Sequence, residues 1–360
     1  MTSAVSLFSG GGGLDLGFIE NGFKIIWAID NNRDAVETYK HNIDKNIICA
    51  DITKIDISAI PEADIIIGGP PCQSFSLIGK RNTTDEVGKL VWRYLEIIKE
   101  KKPKAFVFEN VTGLLSAKDE DGNKIIDNLI KEFKKLNYTI TPQVLNAADY
   151  GVPQLRKRVI IVGLLGDSKF DFPKANYNEN GDNGLKRYVS VEEAIGDIIE
   201  CDEEYTTNPK SEYQLKMRAN NKAENLKNHI RQKESELDTF IIKNVKEGGN
   251  YMDIPPTVNS KRIKRLQKDG GHTTCYGRMD RKKPSYTINT YFNRPNVGCN
   301  IHYSQDRLIT AREALRIQSF PDNYEVISSS KQGTNTIIGN AVPPLLASSI
   351  AKELKKYLGE

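Results

Sequence analysis

The sequence predicts an α/β protein with a doubly wound, mostly parallel sheet and a second, smaller and irregular domain. Over the first 165 residues, short continuous apolar runs alternate with segments of helical periodicity. Glycine, proline or acidic residues follow several of these runs directly. Parallel strands that are buried on both faces and joined by amphipathic helices produce this alternation. Such sheets bind ligands at the carboxyl ends of their strands.

Six apolar runs are the predicted strands, and three segments between them are the predicted helices. The strands are AVSLF (4–8), IIWAI (25–29), NIICA (46–50), ADIIIG (63–68), KAFVFE (104–109) and RVIIVGLL (158–165). The helices are RDAVETYKHNI (33–43), LVWRYLEIIKEKK (90–102) and KIIDNLIKEFKKL (124–136). Continuous apolar runs, unlike strictly alternating ones, are typical of strands that are covered on both faces.

The pattern changes after Gly166, and this change predicts a domain boundary. A stretch rich in Asn, Asp, Gly and Pro (170–184) has the composition of a linker. From Lys210 to Ile301 the spacing is irregular, which predicts short strands and loops. The segment AVPPLLASSIAKELKKYL near the C-terminus predicts a tight turn and a helix. The expected domains are 1–185, completed by 325–360, and 186–324.

Two capping boxes predict where helices begin in the later part of the chain. Ser190 is followed three residues later by Glu193, and Thr310 in the same way by Glu313. In each pair the first side chain caps the helix and the second returns a hydrogen bond. The second helix should end near Phe320–Pro321 because proline cannot continue it.

Charge is distributed unevenly along the chain. The net charge is +4, but residues 210–316 carry 22 Lys and Arg against 11 Asp and Glu. That stretch is therefore +11 and the remainder −7. KRIKRLQK (261–268) alone places five cations in eight residues. A basic segment on a mildly acidic body is typical of a module that binds a polyanion, and a solvated lysine-rich surface is the simpler interpretation.

The cysteines and the hydropathy exclude several classes of protein. The five cysteines include no CxxC pair, which disfavours a disulfide framework or a zinc knuckle and favours a reducing cytosol. No run approaches the roughly 18 apolar residues that a membrane helix needs. The N-terminal segment lacks a basic start and a long apolar stretch, so we expect no signal peptide.

Glycines and two aspartates follow the first three predicted strands. FSGGGGLDLGF (8–18) allows the backbone to pass close to a ligand and enter a helix. Asp30 and Asp51 end the second and third strands, where a carboxylate can accept hydrogen bonds from ribose hydroxyls or from an adenine amino group. These residues predict an adenosine-containing cofactor and leave both NAD and S-adenosylmethionine open.

The fourth strand is followed by GGPPCQSFS (68–76), in which two prolines constrain the backbone before Cys72. A thiol at this edge of the sheet is a candidate nucleophile, because a nearby cation or helix N-terminus lowers its pKa. Glu109 in FENV ends the fifth strand and is a candidate acid. In QLRKR, alternate residues Gln154, Arg156 and Arg158 share one face of an extended chain, and the arginines form a candidate clamp for an anion or a carbonyl.

These motifs closely resemble the bacterial DNA cytosine-5 methyltransferases of type II restriction–modification systems. FSGGGG, Asp30, Asp51, GPPCQSFS, FENV and QLRKR occur in that family's order, followed by RLITAREALRIQSFP (307–321) and GNAVPP (339–344). The resemblance covers nearly the whole chain and is weak only from about 175 to 300. It implies a Rossmann-like, S-adenosylmethionine-dependent methyltransferase sheet in a catalytic domain and target recognition in the small domain.

The resemblance also implies a role for each site residue. Cys72 attacks carbon 6 of a flipped cytosine, Glu109 holds or protonates ring nitrogen 3, Arg158 binds the base carbonyl, and Arg156 supports the Cys72–Glu109 pair or a phosphate. The residues that it implies for binding S-adenosylmethionine are Phe8, Ser9, Gly10, Gly11, Gly12, Asp30, Asn31, Asp51, Ile52, Pro70, Leu90, Asn340 and Ala341. No metal is needed for this reaction.

Double-stranded DNA is the implied partner, and the loop 74–89 is the implied lid over the flipped base. The candidate DNA contacts are Gln73, Ser76, Lys80, Arg81, Lys261, Arg262, Lys264, Arg265, Arg278, Arg281 and Lys282. Lys283 lies in the same segment, YGRMDRKKPSYTINT (276–290), which resembles the end of the family's target-recognition region. The resemblance further implies a monomer in the bacterial cytoplasm, at the nucleoid, that is paired with a separate cognate restriction endonuclease.

Three alternatives remain at this stage. An NAD-dependent oxidoreductase accounts for the glycines and Asp30 but not for Pro-Pro-Cys, FENV or the basic insert. A catalytically inactive DNA-binding relative conflicts with the presence of Cys72, Glu109 and both arginines. A methyltransferase acting on cytosine in transfer RNA would keep the chemistry and change the substrate, although the basic insert is better suited to duplex DNA.

Overall fold

A computed structural model describes residues 1–71, 86–119, 121–200, 204–205, 207–219, 221 and 225–359. The chain divides into two compact units. Unit 1 comprises Met1–Asn146, Lys157–Lys174 and Pro344–Glu360, and unit 2 comprises Ala147–Arg156 and Ala175–Pro343. Strands and helices are numbered below along the chain.

Unit 1 contains one seven-stranded sheet with the order β3-β2-β1-β4-β5-β8-β6. The first five strands in this order are parallel, and β8 is antiparallel to both of its neighbours. The strands are β1 (Ser3–Leu7), β2 (Lys24–Asp30), β3 (Ile47–Cys49), β4 (Ile65–Gly68), β5 (Ala105–Val111), β6 (Tyr138–Asn146) and β8 (Lys157–Leu165). The α/β class and the mostly parallel sheet are thus confirmed, with all six predicted runs forming strands.

Strand β6 was not predicted from the sequence, and its position explains why. It forms an edge of the sheet, and its central residues are half-buried or exposed. Its sequence YTITPQVLN is therefore neither continuously apolar nor free of proline. Pro142 is tolerated because an edge strand leaves one row of backbone groups outside the ladder.

Helices cover the sheet of unit 1. They are α1 (Gly13–Glu20), α2 (Arg33–Asn42), α3 (Glu86–Lys101), α4 (Ile125–Lys135) and α11 (Pro344–Lys355). The aromatic core includes Tyr94, Phe106, Phe108 and Phe133, with the rings of Tyr94 and Phe108 edge to face at 5.2 Å. Among the described residues, no helix has the length and apolar character required to span a bilayer.

Helix α11 packs on α1 at a glycine, which brings the C-terminal segment into unit 1. A Cβ on Gly17 would lie 2.4 Å from the backbone nitrogen of Ser348, 2.5 Å from Cβ of Ala347 and 2.6 Å from the carbonyl oxygen of Pro344. In addition, Asn21 Nδ2 donates to Ser348 Oγ at 2.8 Å. The two helices therefore approach as closely as a residue without a side chain permits.

Unit 2 is largely irregular, as expected, but most of its regular elements are short helices rather than the expected short strands. Its elements are β7 (Gln154–Leu155), β9 (Tyr177–Asn178), β10 (Lys186–Arg187), α5 (Val191–Ile195), α6 (Glu212–Arg218), α7 (Glu236–Asn244), α8 (Lys261–Asp269), β11 (Ser285–Tyr286), α9 (Ala311–Ile317) and α10 (Lys331–Asn340). Helices α6, α7 and α8 each begin after a serine whose side chain accepts a backbone N–H. They have only seven to nine residues, too few for a clear apolar period.

Both predicted capping boxes are confirmed. Ser190 and Glu193 exchange hydrogen bonds at the start of α5, as Thr310 and Glu313 do at the start of α9. Helix α9 ends at Ile317, three residues before the predicted stop.

A buried ion-pair network organises the core of unit 2 around α9. Arg316 is fully buried and donates to Asp197 Oδ1 at 2.9 Å and to Asp322 Oδ2 at 2.6 Å. Arg307 donates to both carboxylate oxygens of Glu313 at 2.7 Å. Loss of one partner from such a pair leaves an uncompensated buried charge, at a cost of about 3–5 kcal/mol. The motif RLITAREALRIQSFP is therefore a packing element as well as a sequence marker.

The bounds of the two units differ from the expected domain bounds. Unit 2 includes Ala147–Arg156, and its long segment runs from Ala175 to Pro343 rather than from 186 to 324. The early residues belong to it because β9 pairs with β10 and because the amide of Asn176 donates to the carbonyl of Asp149. The late residues belong to it because α10 packs on other parts of the unit, with Gly339 against the backbone of residues 289–290. The function of each unit stays a prediction at this point.

The α1–α11 contact generates a stability prediction. Gly17→Ala should lower the free energy of unfolding by about 1–3 kcal/mol because the added methyl group overpacks a backbone contact. Urea unfolding monitored by circular dichroism measures this. Lys352→Ala, an exposed change on α11, is the control and should shift the free energy by less than about 0.5 kcal/mol. An unchanged midpoint for Gly17→Ala would show that the helices do not pack in this way.

Candidate active site

The glycine-rich turn between β1 and α1 forms the first part of the site. Phe8, Gly10 and Gly12 all have positive φ angles, of 56°, 54° and 85°. No described atom lies within 4 Å of the position that a Cβ on Gly10 would occupy, whereas at Gly12 it would lie 3.0 Å from the ring of Tyr39. The turn thus has an open side at Gly10 and is packed against α2 at Gly12, as expected of a backbone cradle for a ligand.

Asp30 links this turn to the end of β2. Its Oδ2 accepts the amide of Gly10 at 2.8 Å, and its Oδ1 accepts the amide of Asn32 at 2.8 Å. Burial raises the pKa of Asp30, opposed by these backbone hydrogen bonds. A carboxylate has about four acceptor positions, so Asp30 can hold the turn and still accept a hydrogen bond from a ligand.

The other predicted cofactor residues of unit 1 lie in different surroundings. Asp51 caps a short 3-10 turn, accepting the amide of Thr53 at 3.0 Å and its hydroxyl at 2.7 Å. These hydrogen bonds lower the pKa of Asp51. Ile52 is buried in the core, and Leu90 packs against that core from α3. Asp51 is therefore the only one of these three with a polar side chain to offer a ligand.

Asp15, which the sequence reasoning did not single out although it lies inside the glycine motif, is a buried carboxyl beneath the turn. Its side chain is fully buried, and Tyr39 Oη donates to its Oδ1 at 3.0 Å. Burial raises the pKa of Asp15 to about 6, with hydrogen bonds to Ser6 and Tyr39 opposing the rise. Ser6 in turn contacts Ser9, whose Oγ lies 3.0 Å from the Ser6 Oγ. A polar network thus runs beneath the glycine turn, from β1 to α1 and α2.

The turn after β4 precedes the predicted nucleophile and is packed tightly against β5. A Cβ on Gly69 would lie 2.7 Å from Oε2 of Glu109. Asn110 Nδ2 donates to the carbonyl of Pro70 at 3.0 Å and is 3% exposed. The backbone before Cys72 is therefore held by β5, and a glycine is required at 69 to admit the Glu109 carboxylate.

Glu109 and Arg158 form an ion pair at the center of the site. Arg158 Nε lies 2.9 Å from Glu109 Oε1, and both side chains are about nine-tenths buried. The antiparallel register pairs Glu109 with Ile160 and Val111 with Arg158, so the two charged residues are diagonal neighbours on one face. Burial lowers the pKa of Arg158, and Glu109 opposes this. The structure thus brings together two of the four predicted catalytic residues.

Burial along 154–158 alternates as the spacing predicts, with Leu155 and Lys157 exposed between less exposed neighbours. Gln154 belongs to unit 2. Its Oε1 accepts the amide of Ile288 at 2.9 Å, and its Nε2 donates to the carbonyl of Ile317 at 3.4 Å. Gln154 therefore ties β7 to two other segments of unit 2.

Arg156, expected either to support the Cys72–Glu109 pair or to bind a phosphate, lies in unit 2. It is fully buried in unit 2, and its guanidinium donates to the carbonyls of Ile288, Gly339 and Ala341 at 2.8–3.0 Å. A side chain enclosed in this way does not reach a DNA phosphate, so the structure supports a positioning role instead. Asn340 is exposed at the end of α10, next to Ala341.

The predicted DNA-contacting residues of unit 2 fall into two groups. Lys261, Arg262, Lys264 and Arg265 are all exposed on α8, and Lys282 is exposed in the loop before β11. Arg278 and Arg281 are engaged within the unit. Arg278 is 6% exposed and donates to four carbonyls and to Asp306, while Arg281 pairs with Glu247 at 2.8 Å. Arg278 therefore has a structural role, which corrects its prediction as a DNA contact. The sequence alone does not show that its side chain is buried.

Several predicted residues lie outside the described part of the chain. They are Cys72, Gln73, Ser76, Lys80 and Arg81, and most of the predicted lid 74–89 lies there too. Within the described residues, no three His, Cys, Asp or Glu side chains are grouped so as to hold a metal ion.

The strand order separates this sheet from a dinucleotide-binding one. A dinucleotide-binding sheet has the order 3-2-1-4-5-6 with all strands parallel, whereas here an antiparallel strand is inserted beside β5.

The fold is that of S-adenosylmethionine-dependent methyltransferases. A crystal structure of a DNA modification methyltransferase encoded within a prophage (E. coli) matches it with a TM-score of 0.74, 24% identity and full coverage of both chains. Dnmt2 methyltransferase of S. pombe matches with a TM-score of 0.60 and 15% identity, again over both whole chains.

Sequence comparison identifies the family. The model of the C-5 cytosine-specific DNA methylases matches residues 2–356. Type II methyltransferase M.NgoFVII of Neisseria gonorrhoeae is 38% identical over 97% of this chain and 85% of its own length. For M.DdeI of Desulfomicrobium norvegicum the identity is 34%, over 98% and 88%. The chain therefore belongs to the C-5 cytosine-specific DNA methylase family, and the predicted family and enzyme class are confirmed.

The buried carboxyl of Asp15 predicts a pH effect on stability. A pKa raised to about 6 means that the folded state favours the protonated form, so stability falls as the pH rises from about 4 through 6. Asp15→Asn removes this titration and should gain stability relative to wild type by up to about 3 kcal/mol between pH 4 and pH 7. Urea unfolding across this range tests it.

Asp121→Asn, at an exposed position, is the matched control and should parallel wild type at every pH. Equal destabilisation by Asp15→Asn at all pH values would instead mean that the hydrogen bonds of the carboxyl outweigh its desolvation.

The close approach at Gly69 generates a second prediction. Gly69→Ala should displace the Glu109 carboxylate and lower methyl transfer by about 100-fold, because misplacing a reacting group by about 1 Å can have this effect. Initial rates with a methyl-labelled donor measure it. The same clash should lower the thermal stability of Gly69→Ala. The double variant Gly69→Ala/Glu109→Asp, in which the displaced side chain is shorter, should recover that stability but not methyl transfer. Near-normal activity of Gly69→Ala would refute the proposed contact.

Proposed function

We propose that this enzyme transfers a methyl group from S-adenosylmethionine to carbon 5 of a flipped cytosine in a specific duplex DNA sequence, through a covalent bond to Cys72. The observation that carries the proposal is the Glu109–Arg158 pair, which packs against the Gly69–Pro70 turn directly before that cysteine. An acid and a carbonyl-binding cation on neighbouring strands, together with a thiol that follows this turn in the sequence, are the groups that this chemistry requires.

The glycine turn and the two aspartates fit S-adenosylmethionine. The open side at Gly10 leaves room for the methionine part, Asp30 has remaining acceptor capacity for ribose hydroxyls, and Asp51 presents a partly exposed carboxylate for the adenine amino group. Phe8 is a half-buried aromatic residue beside the turn and suits the adenine ring. The bound cofactor would supply an electrophilic methyl group, and S-adenosylhomocysteine would be the other product. Asn340 and Ala341 are proposed cofactor residues from the GNAVPP motif alone.

The protein groups then act on the cytosine ring. The Cys72 thiolate adds to carbon 6, and the electron pair of the 5,6 double bond makes carbon 5 nucleophilic. Glu109 hydrogen-bonds or protonates ring nitrogen 3, so that negative charge does not accumulate on the ring. The guanidinium of Arg158 has five donors and binds the base carbonyl oxygen with those not engaged by Glu109 or by the carbonyl of Lys157.

After carbon 5 has gained the methyl group, it loses its proton to a base. The carbon–sulfur bond breaks, the double bond reforms, and the thiolate of Cys72 is regenerated. The cytosine must first leave the duplex, which costs a few kcal/mol of stacking and pairing. The segment 74–89 is the proposed lid over the flipped base, on the basis of its Gly, Ser, Thr and Lys content.

The cellular setting is part of the proposal. M.NgoFVII and M.DdeI are named as type II methyltransferases, which supports a partnership with a separate restriction endonuclease. We propose that the enzyme acts as a monomer in the bacterial cytoplasm, at the nucleoid, where its DNA substrate lies. Cys49, Cys275 and Cys299 are unpaired thiols, in keeping with a reducing compartment.

Covalent trapping tests the mechanism. Duplex DNA with 5-fluorocytosine in many sequence contexts, incubated with S-adenosylmethionine, should give an adduct that survives a denaturing gel, because fluorine cannot leave carbon 5 as a proton does. Mass spectrometry should map the adduct to Cys72. Cys72→Ser should abolish it, and Cys49→Ser, a change at an exposed cysteine of β3, should retain it.

An adduct on transfer RNA but not on duplex DNA would overturn the proposed substrate. Normal binding of S-adenosylmethionine without any adduct would overturn the catalytic proposal as a whole.

A further inference from the structure

Helix α8 carries a cationic surface, defined by five side chains that are all exposed: Lys261, Arg262, Lys264, Arg265 and Lys268. The opposite side holds the helix in unit 2. Ile263 is fully buried in the hydrophobic core, and Leu266 packs against the same core. Ser260 caps the first turn. The cations are therefore presented by an anchored helix and not by a loop.

The angular positions of the side chains separate these two surfaces. At 100° per residue, the five cations span an arc of about 160°, and Ile263, Leu266 and Gln267 lie centred on the opposite side. Burial follows the same division. A surface of this width directs every cation of the helix away from the protein.

Within the described chain, these five cations form no ion pair, in contrast to other basic residues of unit 2. Lys186 pairs with Glu212 at 2.9 Å, Arg187 with Glu193 at 3.1 Å, and Arg281 with Glu247 at 2.8 Å. Concentrated like charge raises the local positive potential and attracts a polyanion, and Asp269, at the end of α8, is the one acidic residue of this helix. The cationic surface of α8 is thus the strongest candidate for a phosphate contact in unit 2.

We propose that the cationic surface of α8 binds the phosphate backbone of duplex DNA and does not read bases. The inference rests on the proposed function and deepens it by assigning α8 to positioning rather than to sequence recognition. Three of the five cations are lysines, which act as flexible point charges on phosphate and lack the rigid planar fork of arginine.

The one amide side chain of α8 supports the same assignment. Base-edge readout commonly uses Asn or Gln, which can donate and accept in a fixed geometry. Gln267 instead donates through Nε2 to the carbonyl of Ile254 at 2.7 Å and to that of Tyr251 at 3.0 Å. It anchors the helix, and the exposed arc contains no other amide or hydroxyl group.

A salt titration distinguishes phosphate contact from base reading. Each phosphate contact contributes about 0.9 to the slope of log K against log salt concentration. The test variant is Lys264→Gln/Lys268→Gln, and the matched control is Lys131→Gln/Lys134→Gln, which also removes two exposed lysines from a helix, here α4. Fluorescence anisotropy gives Kd for a duplex at several NaCl concentrations, and bisulfite sequencing of a treated plasmid gives the methylated sequence.

The test variant should show a slope reduced by about 1.8, with weaker binding to every duplex and an unchanged methylated sequence. The control should keep the wild-type slope. Unchanged S-adenosylmethionine binding in both variants verifies that the fold is intact.

Two results would overturn the assignment of α8. A changed methylated sequence would show that the helix reads bases, and a wild-type slope in the test variant would show that it does not contact DNA. Failure of the wild-type protein itself to methylate or bind duplex DNA would refute the proposed function, and is recognised by the wild-type assay alone.

Discussion

The ion pair between Glu109 and Arg158 is the constraint on which the arrangement of the active site depends. It requires β8 to lie antiparallel beside β5, because only that register makes the two residues diagonal neighbours on one face. It also requires a glycine at 69, since a Cβ there would meet the carboxylate. The antiparallel strand that distinguishes this sheet from a dinucleotide-binding one thus brings Arg158, the second charged residue of the proposed site, beside Glu109.

The glycine turn of unit 1, where we propose that the cofactor binds, follows a different principle, in which buried side chains hold backbone groups in place. Asp30 accepts amides from both the β1–α1 turn and the β2–α2 turn, and Asp15 joins α1 to α2 through Tyr39. Two carboxyl groups with pKa values raised by burial therefore lie under one glycine turn. The backbone conformation of such a turn is fixed before any ligand binds. Less conformational entropy is therefore lost on binding.

Unit 2 uses its many basic residues in two ways. Arg156, Arg278, Arg307 and Arg316 are buried and satisfied by carbonyls or carboxylates, so they hold irregular segments together where regular secondary structure is sparse. The cations of α8 are exposed and face solvent. Net charge alone therefore overstates the positive surface, because a sequence count does not distinguish a structural arginine from an interacting one.

Local patterns in the sequence were sufficient for six of the seven strands of the main sheet, the helices of unit 1, the capping boxes and the family, because periodicity and motif spacing depend on near neighbours in the chain. They were also sufficient to select Cys72, Glu109 and Arg158 as candidates. Other features depend on contacts between distant residues. Edge strand β6, the three short helices of unit 2, the burial of Arg156 and Arg278, and the close approach of Glu109 to Gly69 required the tertiary structure, because each is decided by which segments pack together.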